Sequence, residues 1–299
     1  MAFAVQVPRA CERPRSRLLR GALYWHLLSL DAPTVAVLWA WSFERAAGVH
    51  TSLSALAVLG LGTWLIYIAD RLLDARRARS PSASGAKLRE RHFFHARHRT
   101  TLLAVALPAA IVLLWLIAQM PSLDRRDDAV LFVIALLYFG SVHLAVSRAR
   151  RWFLREIMVG VVFALATAVP AWSQAPGSRA STALLVVLFA ALCCLNTIAI
   201  EVWEQAGSGR QFSVSVAAAA LAVGATTLTL CAGGSDPADS ALLFCAGISA
   251  MALFALDYLH RRRSSHAAPP DEAARWLLLV RVAADAALLT PLLFVVPWR

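Results

Sequence analysis

The chain is short of charge. Charged residues make up 16% of its 299 positions, against about 25% in an ordinary soluble domain. Apolar residues fill 59%, above the roughly 45–50% of soluble domains. This balance excludes a disordered chain and a collagen-like fibre, and it argues against a soluble enzyme. Cysteine is also scarce. The five (Cys11, Cys193, Cys194, Cys231 and Cys245) are odd in number and form no C-x-x-C pair, which excludes a closed disulfide framework. They read as small apolar packing residues. The N-terminus lacks the form of a signal peptide. Five arginines precede an apolar stretch of roughly 20 residues, longer than an h-region of about 7–15. No internal repeat and no separate polar domain is visible.

What the sequence has is long apolar runs. A membrane helix needs about 20 mostly apolar residues. Nine segments meet that need: 22–42, 53–73, 101–119, 129–147, 153–172, 182–200, 213–232, 240–260 and 274–297. The expected fold class is therefore all-α, a polytopic membrane protein of nine spans. A basic N-terminal segment, 1–21, precedes a single transmembrane domain, 22–299. The net charge of +11 sits between the spans and not on one polar surface, so it does not read as nucleic-acid binding. It reads as orientation. With the N-terminus in the cytoplasm, 23 of the 29 basic residues fall in inside segments and five outside. The positive-inside rule then places the C-terminus outside. A bacterial inner membrane is the expected location.

Ionisable groups within a bilayer are costly, about 2.5–3.5 kcal/mol for an Asp at a helix centre. Asp31, Asp70, Asp74, Arg155, Glu156, Asn196, Glu201, Glu204, Asp257, Arg281 and Asp285 all map to the cytoplasmic half of their spans. One polar cavity opening to the cytoplasm explains them together. Pairing with nearby arginines at the interface explains many of them singly. Arg281 and Asp285 stand at i, i+4 and are placed to neutralise each other.

Two acidic pairs stand out. Asp70 and Asp74 share a helix face at the inner end of the second span, and Glu201 and Glu204 do so at the end of the sixth. Paired carboxylates repel, and a divalent cation relieves that. Mg²⁺ takes one or two carboxylates, keeps waters and completes its shell with substrate phosphate. Arg76 and Arg77 follow the first pair and are placed to meet phosphate oxygens.

On these residues the sequence resembles the UbiA superfamily of intramembrane prenyltransferases over nearly its whole length. Asp70 and Asp74 match the last two acidic places of that family's first motif, with Ile66 and Tyr67 where Asn and Asp are usual. Glu201, Glu204 and Gly207 match the second motif, with Ser208 in its last acidic place. Arg150 and Arg151 resemble the basic pair that opens the family's fifth helix. The resemblance implies nine helices around a central cavity open to the cytoplasm. It also implies Mg²⁺ held by Asp70, Asp74, Glu201 and Glu204. The implied reaction is transfer of a prenyl group from a prenyl diphosphate to an aromatic or other lipophilic acceptor. Arg76, Arg77, Arg150, Arg151 and Asn196 are then the expected substrate contacts.

The inside loop 75–100 carries a basic and aromatic run from Lys87 to Arg99. It reads as a helix on the membrane surface, as a cap over the cavity, or, through His92, His95 and His98, as a metal site. Aromatic residues near the acidic pairs (Trp64, Tyr67, Trp203, Tyr258) read as interfacial anchors or as a shield for a carbocation. Two other functions stay open: a non-catalytic lipid- or quinone-binding membrane protein on the same fold, and a secondary transporter. The missing repeat argues against the transporter.

Overall fold

A computed structural model describes residues 17–50, 52–77, 90–120, 152–174, 179–205, 212–231, 236–264 and 269–295. The described residues are helical, with no strand among them. In chain order the helices are α1 (Arg17–Leu27), α2 (Asp31–Ala46), α3 (Leu53–Arg77), α4 (Glu90–Arg97), α5 (Arg99–Gln119) and α6 (Trp152–Gln174). They continue with α7 (Arg179–Glu204), α8 (Val214–Cys231), α9 (Pro237–Ser264), α10 (Pro270–Ala286), a 3₁₀ turn at Ala287–Leu289 and α11 (Leu292–Val295).

Six of these, α3 and α5 to α9, are long and apolar enough to cross a membrane. Each coincides with an expected span. The expected span 129–147 lies outside the described residues. The first and last expected spans are not continuous helices. The last is divided by the 3₁₀ turn after α10. The first is divided at 28–30, where Ser29 is left-handed (φ 57°). There Ser29 N–H donates to His26 C=O (3.0 Å) and Leu30 N–H to Trp25 C=O (2.9 Å), the paired bonds of a Schellman helix end. Trp64 Nε1 of α3 donates to Leu28 C=O (3.0 Å) and satisfies another carbonyl of that end.

The core lies between α2, α6, α7, α8 and α9. Trp39 stacks on Phe189 with centroids 4.3 Å apart, and Phe43 meets Phe189 edge-on at 5.7 Å. Trp39 Nε1 also donates to Leu288 C=O (2.8 Å), tying α2 to the 3₁₀ turn. Small residues let helices approach closely. A Cβ on Gly160 of α6 would stand 2.6 Å from the backbone nitrogen of Cys194 on α7. Ala218, Ala222 and Ala225 of α8 are likewise buried in the core with Ala246 and Ala250 of α9. The opposite case is α5. Of its side chains only Leu102 is buried, while Leu107, Ile111, Leu114 and Trp115 are exposed. An apolar helix with a dry, unpacked surface of this extent fits lipid and not water.

One expected polar residue proves to be structural. Asp257 of α9 is fully buried. Its Oδ1 accepts from Trp203 Nε1 (2.8 Å). Its Oδ2 accepts from Ser215 N–H (3.1 Å), from Ser215 Oγ and from Arg261 Nε (2.9 Å). It therefore caps the N-terminus of α8 from a neighbouring helix and holds the end of α7 as well.

Candidate functional site

The Schellman turn decides where α2 begins, and so where Asp31 lies. Asp31 opens α2, and its Oδ1 accepts from Ala32 N–H (3.0 Å). A helix start favours a carboxylate through its unpaired N–H groups. Around this point five helices converge. His26, on the last turn of α1, puts Nδ1 2.7 Å from Asp31 Oδ2 and 3.1 Å from Asp285 Oδ2 of α10. Arg71 Nη2 of α3 lies 3.5 Å from Asp31 Oδ2. Asn196 Nδ2 of α7 donates to Asp285 Oδ1 (3.2 Å). Arg281 Nη1, one turn before Asp285, donates to Glu204 Oε1 of α7.

These groups are withdrawn from solvent. His26 is 1% exposed, Asp31 3%, Asn196 5% and Arg71 7%. Buried charges persist only when paired and hydrogen-bonded. The cluster obeys that rule. Three carboxylates (Asp31, Asp285, Glu204) meet two guanidinium groups (Arg71, Arg281) and one imidazole. Some polar atoms nevertheless have no partner: Asn196 Oδ1, Arg71 Nε, Arg281 Nε and His26 Nε2.

Asp31, Tyr67, Arg71, Asn196, Arg281 and Asp285 line a cavity of about 100 Å³, whose apolar wall includes Val35, Phe163 and Leu288. Backbone approach at Gly160 forms part of the same wall. A second, wider hollow of about 570 Å³ lies along α2 and α3, lined by Pro33, Val37, Leu38, Trp41, Leu56 and Leu292. It is almost wholly apolar. Helix α2 thus presents Asp31, Ala32 and Val35 to the polar cavity and Pro33, Val37 and Trp41 to the apolar hollow.

The expected site residues divide. Asn196 lines the cavity. Glu204 is bound to Arg281, which lines it. Glu201 is buried and its Oε1 accepts from Gln205 Nε2. Asp70 and Asp74 are half-buried on α3 and are not among the lining residues. Tyr67, Arg71 and Asp74 follow one another at i, i+4 and i+7, so Asp74 extends the cavity-facing row of α3. Arg76 is exposed. The side chain of Arg77, and Arg150 and Arg151 altogether, lie outside what the structure describes. The i, i+4 pairing expected within α10 is replaced. Arg281 reaches Glu204, and Asp285 takes His26 and Asn196.

Among the described residues, the group of three metal-ligand atoms that converges is His26, Asp31 and Asp285. Sequence reasoning marked Asp31 and Asp285 as deep but passed over His26 and Arg71. The available signal was an ionisable residue in an apolar run, His26, five positions before another, Asp31. Segment 90–97 forms α4, which packs on α1, α3 and α5. Its His95 is fully buried with Nε2 3.5 Å from Ser29 Oγ. His98 Nδ1 lies 3.0 Å from Phe94 C=O. The side chain of His92, and with it the expected His92–His95–His98 metal set, lies outside the described residues. Compared with protein-family models, characterised proteins and solved structures, the chain has no match.

Proposed function

We propose that the protein is an integral membrane prenyltransferase, catalysing Mg²⁺-dependent transfer of a prenyl group from a prenyl diphosphate to an aromatic or other lipophilic acceptor. The observation that carries this reading is Arg71. It is a buried guanidinium, walled by membrane-length helices, that faces a polar cavity with Arg281 and Asn196. Arginine is suited to phosphate oxygens because its donors form a planar fork. The excess of basic residues in the expected inside segments supports a bacterial inner membrane with the N-terminus in the cytoplasm.

The fit of Mg²⁺ differs between the two acidic pairs. Asp70 and Asp74 supply two hard oxygen donors on one helix face beside Arg71, which suits an ion that binds through one or two carboxylates and keeps its waters. In the second pair Glu204 also accepts from Arg281 through Oε1. Asp70 and Asp74 would hold the ion, with Glu201 and Glu204 as the expected second set of carboxylates. When bound, Mg²⁺ offsets the charge of a departing diphosphate. Arg71 and Arg281 orient the phosphate oxygens, and Asn196 adds a polar contact. Val35, Phe163 and Leu288 keep water from the reacting carbon.

The test is product formation from a prenyl diphosphate and Mg²⁺ by Asp70→Asn and Asp74→Asn proteins. Loss of at least tenfold in both agrees with the proposal. A normal rate in both overturns it. A non-catalytic lipid- or quinone-binding role is favoured by one observation, the internal neutralisation of the cavity's carboxylates. That reading expects lipid binding that ignores Mg²⁺.

A further inference from the structure

We infer that His26, Asp31 and Asp285 form a binding site for a divalent transition-metal cation, separate from the Asp70/Asp74 pair. The first argument is convergence. Two carboxylate oxygens from different helices aim at one nitrogen, His26 Nδ1, at 2.7 and 3.1 Å. A single N–H there serves both only as a shared, weakened bond. A cation at their meeting point takes all three atoms at full strength, and all three lie within 4.8 Å of one another.

The second argument is the shell around them. Metal-ligating groups are usually held by further hydrogen bonds that fix their orientation. Here the other oxygen of Asp31 accepts from Ala32 N–H, and the other oxygen of Asp285 accepts from Asn196 Nδ2. Arg71 stands 3.5 Å from Asp31 Oδ2. The ligands are thereby set on α1, α2 and α10 by groups from α2, α3 and α7.

The third argument is a vacant acceptor. Asn196 Oδ1 has no hydrogen-bond partner, although Asn196 is 5% exposed and lines the cavity with Asp31 and Asp285. A buried carbonyl oxygen without a donor is costly. With Nδ2 of the same amide on Asp285, it can accept from a metal-bound water, for which the cavity has room.

The donor set selects the ion. One imidazole nitrogen with carboxylate oxygens suits Zn²⁺, Mn²⁺ or Fe²⁺, whereas Mg²⁺ prefers oxygen alone. Such an ion would pin the Ser29 turn to α10 and keep the mouth of α2 in place.

The test uses the full chain in detergent, stripped with chelator and given Zn²⁺ or Mn²⁺ alone, with no diphosphate present. The expected result is one tightly held equivalent, a raised unfolding temperature, and retention against a large excess of Mg²⁺. His26→Ala and Asp285→Asn should each weaken binding at least a hundredfold, and Asp70→Asn should leave it unchanged. Should His26→Ala or Asp285→Asn fail to fold, Asn196→Ala carries the test, with an expected loss of about tenfold. No stoichiometric binding by folded wild-type protein, ready displacement by Mg²⁺, or equal binding in the folded variants overturns the inference. Because no prenyl substrate enters, a failure here is distinct from a failure of the proposed activity.

Discussion

Arg281 of α10 donates from Nη1 to Glu204 Oε1 of α7, and both side chains are largely withdrawn from solvent. The pair joins two residues 77 apart in sequence, on different helices, and commits Glu204 Oε1 to a guanidinium. Removing one partner of a buried ion pair leaves an uncompensated charge. Glu204→Gln should therefore destabilise the protein by about 3–5 kcal/mol. Replacing both, as Glu204→Gln with Arg281→Met, should recover much of that loss. Unfolding curves in detergent for the two single variants and the double variant check this. A double variant as unstable as the worse single one would show that the pair is not the cause.

Asp257 offers a parallel case with no part in the cavity. Its removal leaves the donors of Trp203 and Ser215 without their acceptor, while the exposed Arg261 turns to solvent. Asp257→Ala should cost about 3 kcal/mol or more. The effect should be local first: hydrogen exchange should accelerate in the opening turn of α8. Unchanged exchange there would mean that the cap is dispensable.

Two glycines should respond in opposite directions. Gly160→Ala places a methyl group 2.6 Å from the backbone nitrogen of Cys194, so α6 and α7 must part, at about 1–3 kcal/mol. Gly62→Ala on α3 meets nothing within 4 Å and should stabilise by about 0.5–1 kcal/mol, because alanine holds a helix better. Unfolding temperatures of the two variants should straddle that of the parent.

Arg71 and Arg76 lie on the same helix but differ in depth. Arg71 is buried at the cavity, and Arg76 is exposed. A lost hydrogen bond to a charged group is worth about 1.5–3 kcal/mol. Arg71→Gln should thus weaken prenyl diphosphate binding roughly tenfold to a hundredfold, while Arg76→Ala should change it less than about twofold. Direct titration separates the two. Equal effects would mean that the diphosphate contacts the surface and not the cavity.

The long helices were legible because lipid demands an unbroken apolar length. The runs 53–73, 101–119, 153–172, 182–200, 213–232 and 240–260 became α3 and α5 to α9 with their ends moved by a few residues. The break at Ser29 was not legible. It uses no glycine or proline, and its left-handed turn is stabilised by Trp64 and by α4, which are distant in sequence. Depth was legible too: Asp31, Arg281 and Asp285 do share one cavity. Their partners were not. Helical spacing assigned Arg281 to Asp285, but Glu204 and His26 compete from other helices, and only packing decides between them. The same reason hid Arg71, whose exposed-looking neighbours in the run 70–77 give no hint that it turns inward.

The most direct measurement of the proposed activity is a thermal shift of the purified protein with farnesyl or geranylgeranyl diphosphate, with and without Mg²⁺. A ligand that binds the native state alone must raise its stability. The account predicts a rise that needs both Mg²⁺ and the prenyl diphosphate and that disappears in Asp74→Asn and Arg71→Gln. A rise of equal size in the presence of EDTA, or none at all in folded protein, would contradict it.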